Sequence, residues 1–186
     1  MTATPPVAWP GRSIVQVAYV VDDIVASMHR WTNVFGVGPW MHNPDIRVTA
    51  PRYRGRPTDL RFAGAVTHSG GVQLELIQQL DDSPSCYRDL FPRGREGQHH
   101  VAVFAGDFDA DVARYVDEGF PVAFEGTHRD MRFAYVDASP ALGVMIEILE
   151  DVASIREAFA GIEAASRAWD GTEPIRSRTT GGAPTP

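Results

Sequence analysis

Two stretches of this chain carry metal-ligand-type side chains at matching places. His100 opens His100-Val101-Ala102-Val103-Phe104-Ala105-Gly106-Asp107, and Gln16 opens Gln16-Val17-Ala18-Tyr19-Val20-Val21-Asp22-Asp23. His100 and Asp107 each fall 84 residues after Gln16 and Asp23. A second pair lies in Gly71-Val72-Gln73-Leu74-Glu75-Leu76-Ile77 and Gly143-Val144-Met145-Ile146-Glu147-Ile148-Leu149, where Gly-Val leads to a glutamate flanked by aliphatic residues. Taken singly, each has a plainer reading. A strand histidine is more often a hydrogen-bonded structural residue, and a lone glutamate more often lies on a solvated face. The duplication favours chemistry, because a carboxylate on an apolar strand is costly to bury as an ion without a partner. Two in equivalent positions point to a shared cation. Gln16, Glu75, His100 and Glu147 make a four-member N/O set that suits Zn²⁺, Ni²⁺, Co²⁺, Mn²⁺ or Fe²⁺, with Gln16 binding through its neutral carbonyl oxygen.

These residues need strands that aim them at one place. Side chains alternate along a strand, so His100, Ala102 and Phe104 share one face while His99, Val101 and Val103 share the other. Only one of the adjacent histidines is expected to face the site, and the match to Gln16 selects His100. By the same alternation Glu75 goes with Gln73 and Ile77, and Glu147 with Met145 and Leu149. Leu74, Leu76, Ile146 and Ile148 are left to pack under helices.

The element order β-α-β-β-β is read twice. In the first copy a strand to Val21 is followed by a helix from Ile24 to about Phe35, capped by Asp22 or Asp23 and stopped at Gly36. Strands are predicted over Trp40–Thr49, Leu60–His68 and Val72–Gln79, with Ala50–Pro57 as an exposed loop or poorly formed strand end. The second copy has a strand over His99–Ala105, a helix over Phe108–Glu118 and strands over Val122–Thr127, Arg132–Asp137 and Val144–Leu149. The predicted fold is α+β, two tandem βαβββ modules forming a cupped mixed sheet, with an added C-terminal helix. Residues 1–12 are a Pro-rich arm, 13–80 and 98–151 the modules, 81–97 a linker with a short helix near Tyr87–Phe91, 152–171 the helix and 172–186 a flexible tail.

Composition narrows the partners. A net charge of −7 argues against a nucleic-acid groove or an anionic membrane surface. No apolar run approaches the roughly 20 residues of a membrane helix, and Met1–Gly11 lacks a signal-peptide pattern. Cys86 is the only cysteine, which predicts a reducing cytoplasm. All 17 basic residues are arginine, so lysine Schiff-base chemistry and the phosphate-binding loop that needs lysine are excluded.

The residues quoted above, with Phe35-Gly36 ending the first helix and Gly97-Gln98-His99-His100-Val101-Ala102 opening the second module, resemble the vicinal-oxygen-chelate superfamily. That group includes glyoxalase I, methylmalonyl-CoA epimerase, extradiol dioxygenases and the fosfomycin and bleomycin resistance proteins. The resemblance runs from about Ile14 to Glu150 and leans to the glyoxalase and epimerase branch. It implies metal ligands at Gln16, Glu75, His100 and Glu147, where bacterial members usually have histidine at the first position. It also implies a divalent-metal-dependent isomerase or lyase that stabilises an enolate of a small oxygen-chelating, CoA- or thiol-linked substrate. Glu147, and with it Glu75, would shuttle the proton. The extra, non-ligand glutamate of the epimerases has no counterpart, since Trp40–Val48 offers only Asp45. An extradiol dioxygenase would require histidine in place of Gln16. The competing reading is a metal-free binding protein of the bleomycin-resistance type, with Trp40, Phe62 and Phe133 lining its pocket. Arg52, Arg54, Arg56 and Arg61 form a basic cluster, read as a solvated strand edge ahead of a site for a CoA phosphate or carboxylate. A homodimer is expected, or an equivalent pairing of the halves within one chain, with the C-terminal helix covering a sheet edge or a partner surface.

Overall fold

A computed structural model describes residues 12–177; most of the predicted arm, and positions 178–186 of the predicted tail, lie outside the described residues. In chain order the first half contains β1 (Gln16–Val20), α1 (Ile24–Phe35), β2 (Trp40–Ile46), the hairpin β3 (Thr49–Tyr53) and β4 (Arg56–Pro57), β5 (Phe62–Ser69) and β6 (Val72–Gln79). After α2 (Cys86–Leu90) come β7 (Gly97–Phe104), α3 (Phe108–Asp117), β8 (Val122–His128), β9 (Met131–Val136), α4 (Ser139–Leu142) and β10 (Met145–Leu149). The chain continues through α5 (Ala153–Arg167) to β11 (Ile175–Ser177).

The described strands form one mixed sheet in the order β11-β2-β5-β6-β1-β7-β10-β9-β8-β3-β4. In each half the last strand lies parallel to the first, β6 on β1 and β10 on β7. The halves join through the antiparallel pair β1–β7 at the centre. Duplicated capping chemistry starts each helix. Asp23 accepts from the Ala26 amide and Asp107 from the Ala110 amide, each bond of a kind worth about 1 kcal/mol. Gly36, at φ +67°, ends α1 in the left-handed region that glycine adopts without penalty.

Helices α1 and α3 cover one face of the sheet and the cup lies on the other. Tyr19, Leu74 and Leu76 pack with Ile24 and Met28 of α1, while Val101, Val103, Ile146 and Ile148 pack with Val112 and Tyr115 of α3. The largest apolar cluster runs along the opposite face through Ala18, Val20, Ile77, Ala102, Tyr135, Met145 and Leu149. Phe159 and Ile155 of α5 pack onto it, so the C-terminal helix spends its apolar side on its own sheet.

Three expectations change. Ala50–Pro57 is no loose loop: β3 crosses to the second half, pairs with β8 and carries β4 at the far edge. The tail contributes a strand, because Ile175–Ser177 pairs in parallel with Trp40–His42. Trp40 faces α1, fully buried beside Ala63 and Ala65, with its indole N–H donating to Thr32. Alternation along β2 therefore gives the cup Met41 and Asn43 instead.

Candidate metal centre

The registers of the four central strands fix where the polar side chains fall. Gln16 stands opposite Ala102, and His100 opposite Ala18, across the β1–β7 pair. Glu75 stands beside Ala18, and Glu147 beside Ala102. Two fully buried alanines thus form a floor with one polar side chain at each corner. Alanine is among the residues that strands use less, and its small side chain leaves the space above both positions to the four polar groups.

Three of the four converge on an atom of the fourth. His100 Nε2 lies 3.4 Å from Gln16 Oε1, 3.5 Å from Glu75 Oε2 and 3.2 Å from Glu147 Oε2. The Glu75, His100 and Glu147 donors all lie within 4.8 Å of one another. Gln16 donates its amide N–H to Gln73 Oε1 at 2.8 Å, which turns its carbonyl oxygen inward. Gln73 in turn stands 3.4 Å from His68 Nε2. Sequence reading placed Gln73 on the Glu75 face without giving it a role; its signal was the i−2 position that alternation assigns to the same face. Gly64 on β5 is a second residue that went unread. A Cβ there would meet Ile46 Cδ1 at 2.5 Å with Glu75 Oε1 at 3.8 Å, so glycine leaves room beside the carboxylate.

The adjacent histidines do not face apart. Ala18 pairs with His100 but Tyr19 with Gln98, so His99 is an extra residue in β7, a β-bulge that breaks the alternation. Both rings lie on the cup side and both are fully buried. His99 packs edge-on to Tyr87 and Tyr135, and His100 to Tyr135. His99 Nδ1 is 3.0 Å from His100 Nδ1, and His99 Nε2 is 3.1 Å from the Cys86 carbonyl. Burial, and then the neighbouring His100, push the His99 imidazole down to about 3, so it is neutral at ordinary pH. Cys86 itself is an inert thiol, raised by burial.

The electrostatics suit a cation. Burial, and then the charge of Glu147, hold Glu75 well above the usual carboxylate range. Among the described residues, His100 is the only basic side chain within ion-pairing distance of either glutamate. Two carboxylates, one imidazole nitrogen and one amide oxygen on a common centre fit a divalent ion of the Zn²⁺ to Mn²⁺ range.

Above this centre is a cavity of about 200 Å³. Gln16, Gln73, Glu75 and Glu147 line its polar end, Met41, Phe62, Phe133 and Tyr135 its walls, and Ile155, Phe159 and Ile162 of α5 its roof. Asn43 lines it from β2, whereas Asp45 is held by Arg47 and lies 3.9 Å from Arg61. None of the four clustered arginines lines the cavity. Arg54 instead bonds Asp89 and Asp137, and Arg52 the carbonyl of Gly55 in its own hairpin.

The family model for the glyoxalase/bleomycin resistance protein/dioxygenase superfamily matches residues 15–135, well over half of the chain. Among solved structures, methylmalonyl-CoA epimerase from Mycobacterium tuberculosis superposes with a TM-score of 0.50 at 18% identity, over 77% of this chain and 90% of that one. A hypothetical protein from Bacillus halodurans C-125 gives 0.52 at 15% identity, over 76% and 96%. At such identities the likeness is one of fold. No curated protein matches the sequence.

Proposed function

The chain belongs to the glyoxalase/bleomycin resistance protein/dioxygenase superfamily, and from that premise we propose that it is a divalent-metal-dependent isomerase or lyase. Its substrate is a small molecule with two adjacent oxygens, free or linked to CoA or another thiol, and the reaction moves a proton beside a carbonyl. The observation that carries this reading is the convergence of Gln16, Glu75 and Glu147 on His100 Nε2 at the floor of an apolar cavity.

Gln16, Glu75, His100 and Glu147 would hold the ion, which when bound supplies Lewis-acid stabilisation of negative charge on the substrate's oxygens. Glu147 and Glu75 take and return the proton, and their burial keeps such a base reactive by withholding water. Tyr135, Phe62 and Phe133 exclude water from the same space and orient the substrate's apolar part. Asn43 stands where β2 meets the cavity, and the Asp130 carboxylate that also lines it accepts from the Ser154 hydroxyl, which leaves the two central glutamates for proton transfer. The apolar walls favour a second reading, a metal-free protein that sequesters an aromatic ligand, but that reading gives the buried glutamate pair no task. Buried Cys86 agrees with a cytoplasmic home, and exposed Val34 and Phe35 at the end of α1 offer an apolar patch for a homodimer, which sedimentation at micromolar concentration tests.

The test of function pairs metal analysis with a screen for deuterium wash-in from solvent into thioesters, 2-oxoaldehyde adducts and 2-hydroxy ketones. The metal-loaded protein should exchange one class of substrate, and Glu147→Gln should retain some metal while exchange falls by about 10²-fold or more. Loaded protein that exchanges nothing, and binds an aromatic ligand equally well with metal removed, would establish the sequestering reading instead.

A further inference from the structure

We propose that His99 is a positioning residue that fixes the tautomer of His100, so that the ring presents a bare Nε2 to the centre. The proposal rests on the metal reading for its purpose, though not for its geometry. A backbone carbonyl only accepts, so the 3.1 Å contact between His99 Nε2 and the Cys86 carbonyl requires a proton on that nitrogen. The ring is fully buried and its two nitrogens meet a carbonyl and an imidazole, so it holds its single proton on Nε2 and carries a lone pair on Nδ1. At 3.0 Å, His100 Nδ1 must donate to it, since two lone pairs would repel. His100 Nε2 is thereby left facing Gln16 Oε1 and both carboxylates, free to give its lone pair to a cation. The order of bonds runs from a carbonyl of α2, through one ring, into the other.

Two features make this a built arrangement. The bulge at His99 places both rings on one side of the strand, which regular alternation forbids. Tyr87 and Tyr135 then fix the planes of the rings, with centroids 5.0 Å and 5.6 Å from His99, and Tyr135 4.8 Å from His100. Metal-bound histidines generally need their other N–H held by an acceptor, and losing that acceptor costs about 10- to 100-fold in metal affinity. Here the acceptor is a second histidine, whose own far nitrogen is tied to the main chain.

The direct test is long-range ¹H–¹⁵N NMR of the histidine rings in metal-free wild-type protein. Protons on His99 Nε2 and His100 Nδ1 are expected; a bare His100 Nδ1, or a proton on His99 Nδ1, would overturn the proposal whether or not the protein binds metal. The second arm measures Co²⁺ affinity by competition with a chelating indicator. His99→Phe keeps a ring but offers no acceptor and should lose about 10- to 100-fold, whereas His99→Asn, which can accept near the Nδ1 position, should recover most of that loss. Equal affinity in wild type and His99→Phe, alongside loss in His100→Ala, would refute the positioning role while leaving the metal reading intact. Wild-type protein that fails to bind Co²⁺ would refute the metal reading, with the tautomers still decided by NMR.

Discussion

In the first half, Gln16 is steadied by Gln73, a side chain on the neighbouring strand β6; in the second, His100 is steadied by His99, its own chain neighbour in β7. Each half is apolar where the other is polar. The residue 84 positions before His99 is Val15, and the residue two before Glu147, corresponding to Gln73, is Met145. The duplicated framework thus brings equivalent side chains to the centre but supports them from different strands. The reason is chemical: an amide needs its N–H₂ engaged to turn its oxygen inward, whereas an imidazole needs an acceptor behind it. Only the bulge in β7 lets a chain neighbour provide that acceptor.

The largest test of this comparison removes one ligand from each half. His100→Ala should lower Co²⁺ affinity by more than about 100-fold, and Gln16→Ala by less, since a neutral amide oxygen is the weaker donor. Gln16→His should be tolerated or bind more tightly. Equal losses from the two alanine variants would remove the ranking between the halves. Next come the two floor positions, which the comparison treats as equivalent. Ala18→Val and Ala102→Val should each cost about 1–3 kcal/mol by overpacking and should weaken Co²⁺ binding together; thermal denaturation that spares one of them would break the symmetry.

A smaller effect is expected from Gln73→Met, which gives the first half the residue that the second half carries. Released from its partner, Gln16 can turn its N–H₂ toward the centre, and Co²⁺ affinity should fall by about tenfold. An unchanged affinity would mean that Gln16 needs no support. The smallest effect concerns pH. Burial holds the His68 imidazole below its ordinary 6.5, while the charges of Glu163 and Arg167 on α5 act in opposite directions. The lowered folded value means that the contribution of neutral His68 is present above 6.5 and is lost as pH falls below it. The ring abuts Phe159 and the His68 amide donates to Ser166, both on α5. Once the intrinsic pH dependence of exchange is divided out, the protection of the α5 amides should therefore fall between pH 7 and 5, and His68→Leu should flatten that dependence. A dependence that survives in the variant would place the titrating group elsewhere.

Much of this was legible in the sequence because it depends on period and repetition. Alternation sorted Glu75 and Glu147 to the cup and Leu74, Leu76, Ile146 and Ile148 to the helices, and the repeated Asp23 and Asp107 marked both helix starts. What failed were departures from local rules. The bulge at His99 is a matter of register between two strands, and His99-His100 read by itself obeys simple alternation. The hairpin over Thr49–Pro57 contains proline and arginine and reads as loop, yet β8 offers it an edge that no local window reveals. β11 likewise forms because β2 has a free side, although Ile175–Ser177 has little strand character of its own. Trp40 and Phe62 looked alike as pocket aromatics until the register of β2 sent one under α1 and left the other in the cavity.

The central claim is that one divalent ion sits among side chains drawn from both halves. Anomalous diffraction from crystals of the Co²⁺-loaded protein tests it most directly. One peak is expected above Ala18 and Ala102, roughly 2.0–2.2 Å from Gln16 Oε1, His100 Nε2 and an oxygen of each of Glu75 and Glu147. A peak ligated by other residues, or none between the central strands at saturating Co²⁺, would contradict it.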